Sequence, residues 1–294
     1  MRALAVLICV LGLAACVSAS QRPTLGASTS PTTTTTTAPQ GPFEVTTVDR
    51  TLTGASPHLF VRIWSPADGG HGTRKLIVLA HGLNGEPDKF DDLSSSWVRA
   101  GYVVAAPRFP GSSATGGGQV AGFTDQPAEV RSVIDQLTAE KGMRLDPHHV
   151  AVAGLSLGGS TVYALTTDPC CTDPRIDAAA IFDGVRPGAF GPAALVPNEV
   201  PVLITHCDHD PVLAYQDHAV QGYARMQAPA WLVTMPCAEH PQPYEDEPSS
   251  FDHLVEEVTL DLWDSVFRNA PEDAAKIVAD VQADGRATVQ VKAT

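Results

Sequence analysis

The residues with the clearest chemistry lie at 154–158, Gly-Leu-Ser-Leu-Gly. A serine hydroxyl is a weak nucleophile at neutral pH. It attacks a carbonyl only when a base takes its proton, an acid orients that base, and N–H groups receive the charge that forms on the carbonyl oxygen. Ser156 stands where this is feasible: apolar, β-branched Val150 and Val152 precede it, and small residues from Gly158 onward open a helix. G-x-S-x-G between a strand and a helix predicts a sharp, strained turn that holds Ser156 Oγ above a sheet edge. Its glycines stand where a side chain would strike neighbouring backbone.

The base has to come from a loop beyond the last of the successive buried strands. His240 follows the apolar run 230–234, inside Pro236-Cys237-Ala238-Glu239-His240-Pro241. His253, the other choice, has apolar neighbours at helical spacing and reads as a surface residue of a packed helix. His240 is therefore the expected base. Three carboxylates compete to orient it: Asp210, in a D-x-D-P pattern after the run 200–205; Asp183, at the end of the run 178–182; and Asp208. Asp210 is the expected acid, with the other two as alternatives. The run 75–80 ends in His81-Gly82-Leu83-Asn84-Gly85. A glycine turn there can aim a backbone N–H at a developing oxyanion, and the amides of Leu83 and Leu157 are the expected donors. The other reading is a plain strand-end turn with His81 as a hydrogen-bonded polar residue.

Cys207 precedes Asp210 by three residues and Cys237 precedes His240 by three. Both fall just past consecutive, adjacent parallel strands, where the short Cα separation of a disulfide is attainable, so a Cys207–Cys237 bridge between the two loops is expected. Pairing of the vicinal Cys170 and Cys171 stays open. His206, Cys207, Asp208, His209 and Asp210 are all metal-binding types, yet their spacing matches no zinc signature and no metal is expected. Nor does the chemistry call for a cofactor.

These groups need a scaffold. Runs at 45–50, 59–64, 75–80, 102–106, 149–155, 178–182, 200–205 and 230–234 read as strands, the second as an edge or one-face-wet strand. Helical patterns lie between them, one at 127–141 ending on Gly142, and a long one carries Phe251, Leu254, Val255, Val258, Leu262 and Val266. Alternation of this kind predicts an α/β fold with a mostly parallel central sheet covered by helices on both sides. The segment 184–199 is too short for a cap domain, so an open site is expected. The Gly/Ser-rich stretch 108–118 at a strand end is expected to border the substrate. Residues 271–294 read as a short helix and a final strand.

The amino end is of another kind. Met1-Arg2 followed by the apolar run 3–15 is far shorter than the ~20 residues of a spanning helix and reads as an export signal. Its end, Leu13-Ala14-Ala15-Cys16, resembles the lipobox of bacterial lipoproteins, which implies lipidation at Cys16 and an extracytoplasmic, membrane-anchored protein of the cell envelope. Residues 16–42, with six consecutive threonines, carry too little apolar surface to fold and read as a tether. The organisation expected is signal peptide 1–15, tether 16–42 and one folded domain 43–294. A formal net charge of −14 argues against nucleic acid as a partner. The chain is expected to work as a monomer.

The strand-then-HG turn, GYVVAAPRFPG, GLSLGG, the D-P loop and the later histidine together resemble the serine-hydrolase branch of the α/β-hydrolase superfamily, over roughly residues 75–268. The order Ser, Asp, His is the one that fold uses. More narrowly, they resemble bacterial envelope esterases related to dienelactone-hydrolase-like, platelet-activating-factor-acetylhydrolase-like and cutinase-type polyester-hydrolase groups. The second of these takes its acid from the position of Asp183. Serine at 156 departs from the cysteine of true dienelactone hydrolases, and Leu83 and Leu157 replace the aromatic residues common in polyester hydrolases. The resemblance implies hydrolysis of a small-molecule, lipid or polymer ester through an acyl-enzyme. A thioesterase, peptidase or acyltransferase would use the same machinery, and a non-catalytic envelope binding protein could keep the same scaffold.

Overall fold

The structure, a computed structural model, describes residues 41–53, 58–67, 72–188, 196–227 and 229–293. Among them nine strands form one sheet: β1 (Val45–Leu52), β2 (Leu59–Pro66), β3 (Arg74–Ala80), β4 (Val103–Pro107), β5 (Leu145–Leu155), β6 (Ile176–Phe182), β7 (Val202–Cys207), β8 (Ala230–Met235) and β9 (Thr288–Lys292). The α-helices are α1 (Asp91–Arg99), α2 (Gln126–Ala139), α3 (Leu157–Thr167), α4 (Gln221–Arg225), α5 (Asp252–Phe267) and α6 (Asp273–Asp284). The strands lie in the order β1-β2-β4-β3-β5-β6-β7-β8-β9. β4, β3 and β5 to β8 run parallel, whereas β1, β2 and β9 pair antiparallel with their neighbours.

Because successive strand residues face opposite ways, the sheet feeds two cores. Ile77 and Leu79 of β3 pack with Trp97 of α1, Trp263 of α5 and Ile277 of α6. Leu76, Val78 and Ala80 pack on the other face with Val130 of α2, Val162 of α3 and Tyr223 of α4. Each large apolar side chain so buried stabilises the fold by about 1.5–3 kcal/mol before entropy is set against it.

From β3 the chain leaves through α1 to β4 on one side; from β4 it returns through α2 to β5 on the other. The connections beyond β3 and β5 therefore diverge, and a crevice opens at the carboxyl ends of these two strands, where open α/β sheets bind ligands. His81-Gly82-Leu83 and Ser156 both emerge there.

Some local expectations are corrected. The run 59–64 is not an edge: β2 is hydrogen-bonded on both sides and β1 takes the edge. Its polar position, Arg62, is held instead by Asp49 at 3.2 Å and Asp91 at 3.1 Å. Gly142 caps no helix, because α2 stops at Ala139 with Glu140 already extended (ψ 102°). The chain enters α4 through a π-turn, Gln216–Val220. All described residues belong to one compact unit, Ala38–Thr294. No described helix is long and apolar enough to cross a membrane. Cys16, the signal run and the threonine run lie outside the described residues.

Candidate active site

Ser156 joins β5 to α3 with φ +54° and ψ −113°, a backbone state that L-residues rarely hold and that costs about 1–3 kcal/mol. The packing around it enforces the turn. A Cβ on Gly158 would stand 2.1 Å from the Ala80 carbonyl oxygen, and one on Gly154 would stand 2.3 Å from that of Gly158. Only glycine lets α3 start so close to β3. The Ser156 N–H donates to the Phe182 carbonyl at 2.9 Å, and its own carbonyl accepts from Val185 at 3.1 Å, so the turn is anchored on the end of β6.

The Gly82 turn lies directly against it. A Cβ there would come within 3.1 Å of Ser156 Cβ and 3.7 Å of Oγ. His81 is fully buried and holds this turn in place. Its Nδ1 donates to the Gly82 carbonyl at 2.7 Å and its Nε2 accepts from the Phe109 N–H at 3.0 Å. That pattern requires a neutral ring, and burial brings its pKa down to about 4. The loop 108–118 is stitched to the turn through Asn84 N–H to Ser112 O at 2.8 Å and Ala114 N–H to Gly85 O at 3.4 Å. Leu157 opens α3, whose leading N–H groups have no acceptor within the helix. Leu83, on the turn after β3, and Val212, on the loop after β7, are both exposed.

Asp210 and His240 meet across the loops after β7 and β8. His240 Nδ1 is 2.7 Å from Asp210 Oδ2. Asp210 Oδ1 accepts from the amides of Val212 at 2.7 Å and Leu213 at 2.9 Å. Burial alone would raise the Asp210 pKa, but the hydrogen bond from His240 and those two amides outweigh it and hold the carboxyl below its usual range. Asp183, the alternative acid, is farther away, with Oδ2 3.9 Å from His240 Nδ1. Asp208 turns instead to His209, 2.6 Å away. His253 lies on α5 with its side chain 82 % exposed and pairs with Glu257.

The two loops are fastened together. Cys207 and Cys237 are bridged, their Cα atoms 5.0 Å apart. Backbone bonds run beside the bridge, Asp208 N–H to Met235 O at 2.9 Å and His209 N–H to Cys237 O at 3.1 Å. Tyr244, on the loop after β8, stacks on Phe182 with ring centroids 4.9 Å apart. Cys170 and Cys171, left open above, also form a bridge.

Sequence reasoning missed one group in this cluster. His206, the penultimate residue of the apolar strand VLITHC, is fully buried, with Nε2 3.0 Å from the Leu213 carbonyl and 3.5 Å from Asp210 Oδ2. A histidine as the last inward residue of a buried strand was the available signal. Asp183, His206 and Asp210 offer ligand atoms within 4.8 Å of one another, the one buried set among the described residues whose donors could reach a common metal ion. Cys207 and Cys237 are oxidised and are not thiolate donors. No protein-family model and no curated protein matches the chain.

Proposed function

We propose that the chain is a serine hydrolase of carboxylic esters, built on an α/β-hydrolase scaffold and anchored at the cell envelope through lipid on Cys16. The observation that carries this reading is the convergence at one sheet edge. Ser156 stands on a strained turn in the β3/β5 crevice, while the 2.7 Å Asp210–His240 pair sits at the ends of neighbouring strands. A binding module has no use for such strain, which persists where packing over-determines it for function.

In the mechanism, His240 takes the Ser156 proton through Nε2 as Oγ attacks the ester carbonyl. Asp210 holds Nδ1–H and stabilises the imidazolium that results. The Leu83 and Leu157 amides receive the oxyanion, each being worth about 3–4 kcal/mol of barrier by analogy with deleted oxyanion donors. The proton then passes to the departing alcohol, and water activated by His240 releases the acid from Ser156. Exposed Leu83 and Val212 offer an apolar rim to the acyl or alcohol part.

The test uses the protein from about residue 43 and p-nitrophenyl esters of graded chain length. Ser156→Ala is expected to lower turnover by on the order of 10⁵–10⁶. A fluorophosphonate should label the wild type and leave the variant unlabelled. A wild type inert to every ester and unlabelled by the probe would turn the reading to a binding protein on the same scaffold.

A further inference from the structure

Behind the Asp210–His240 pair lies a second buried acid whose hydrogen bonding does not close. Asp183 directly follows β6 and is fully buried, with φ at +38°. Its Oδ1 accepts the Cys207 N–H at 2.9 Å, while Oδ2 has no hydrogen-bond partner. His206 fixes the proton count. Its Nε2 lies 3.0 Å from the Leu213 carbonyl, which can only accept, so Nε2 carries the hydrogen. The opposite nitrogen, Nδ1, is buried without a hydrogen-bond partner and faces Asp183 Oδ1 at 3.4 Å. In a neutral ring with Nε2–H, Nδ1 presents a bare lone pair, and an ionised Asp183 would present another. Two acceptors facing each other away from water leave both desolvated and uncompensated. One proton between them removes the conflict.

We propose that Asp183 and His206 hold one shared proton, so that Asp183 stands behind the triad as a neutral carboxylic acid and positioning residue. Asp210 is then the sole anion facing His240, and Asp183 replaces it as an anion only when the charge of Asp210 is removed. This role rests on the serine-hydrolase reading above.

The electrostatics run the same way. The groups facing Asp183 are His206 and Asp210 from β7 and its loop, and His240, Glu239 and Tyr244 from the loop after β8. Burial first, and then the charge of Asp210, push Asp183 well above the usual carboxylate range. Burial lowers His206 to about 4, which favours the carboxyl over the ring as the holder of the proton. The Tyr244 hydroxyl accepts from Thr205 Oγ1 at 3.1 Å and can turn its own hydrogen toward the same carboxyl, which lowers Asp183 by less than burial and the charge of Asp210 raise it. Two acids in one site with environments that drive their pKa values apart take separate roles, one ionised and one neutral.

The experiment has a spectroscopic arm and a kinetic arm. In wild type at neutral pH, ¹⁵N chemical shifts should show His206 as the neutral Nε2–H tautomer. The infrared difference between wild type and Asp183→Asn should contain the carbonyl stretch of a protonated carboxylic acid. An imidazolium at His206, or one tightly held divalent ion per chain by elemental analysis, would overturn the proposal. The ¹⁵N shifts and the elemental analysis of the wild type need neither a folded variant nor a turnover, so they stand even if the esterase reading fails. In the kinetic arm, Asp183→Ala should lower kcat by on the order of 10², with KM little changed, because His206 and the Asp210 loop lose their support. Asp183→Asn, which can keep either a donor toward Nδ1 or the acceptor for the Cys207 N–H, should restore part of it, and no recovery at all would count against a neutral acid there. Asp210→Asn should retain a residual activity that climbs with pH as Asp183 ionises, and the Asp183→Asn/Asp210→Asn double variant should lose that climb. A climb that survives in the double variant would exclude Asp183 as the stand-in anion.

Discussion

At Ser156 the chain accepts a φ of +54° without glycine, because the residues around it leave no other path. The tightest of these constraints is Gly158, where an added Cβ would meet the Ala80 carbonyl oxygen at 2.1 Å. The obstacle is backbone of a central strand and cannot swing aside as a side chain would. Gly158→Ala should therefore cost about 3 kcal/mol or more in urea unfolding and should depress activity, since it pushes the start of α3 off β3. Gly142 is the internal control. A Cβ there meets nothing within 4 Å, so Gly142→Ala should fall within about 1 kcal/mol of wild type. Equal losses at the two sites would mean that close packing does not set the geometry of the turn.

The elements that carry Asp210 and His240 are neighbouring parallel strands, and parallel strand ends have no hairpin to hold their loops in register. The Cys207–Cys237 bridge supplies that constraint across a sequence separation of 30 residues. Closing a loop of this length stabilises the fold by about 3.5 kcal/mol in the chain-entropy account. Cys170–Cys171 has a separation of 1 and closes essentially no loop. Replacing Cys207 and Cys237 with alanine should thus lower the melting temperature clearly and reduce turnover on the order of tenfold, as the acid and base loops drift. The same change at Cys170 and Cys171 should do neither. If the vicinal pair proved the more costly one, loop closure would not be the operative effect. The main elements and the Asp210–His240 encounter were legible because buried parallel strands are continuous apolar runs and because the candidate acid and base follow directly from their ends. Positions decided by neighbours were not. Gly142 reads as a helix cap, yet α2 stops at Ala139; His206 reads only as one of a run of metal-binding types with no zinc spacing, yet it is buried between Asp183, just past β6, and the Leu213 carbonyl.

Over the whole molecule, a net charge of −14 means that raising the pH loads more like charge onto a surface that already repels itself. Buried acids steepen the effect. Asp261 of α5 lies against Asp280 of α6. Burial first, then the hydrogen bond and charge of Asp280, push Asp261 up to about 8. An unfolded aspartate gives up its proton near 4, so between about 4 and 8 the folded state binds the extra proton and stability falls as pH rises. Asp183 acts in the same sense. His81 and His206 act in the opposite one. Burial holds each near 4, against about 6.5 in the open chain, so the unfolded state carries the extra protons between those values. Up to about pH 6.5 the two histidines offset the two acids, and above it only the acids remain. The urea midpoint should therefore change little from about pH 5 to 6.5 and fall from there to about 8.5. Asp261→Asn removes one of the protons responsible. It should raise the midpoint at pH 8.5 and flatten the slope between pH 6.5 and 8 by up to about 1.4 kcal/mol per pH unit, with a smaller gain at pH 5. A variant with the wild-type slope would place the proton elsewhere and leave the surface charge to account for the loss of stability in alkali.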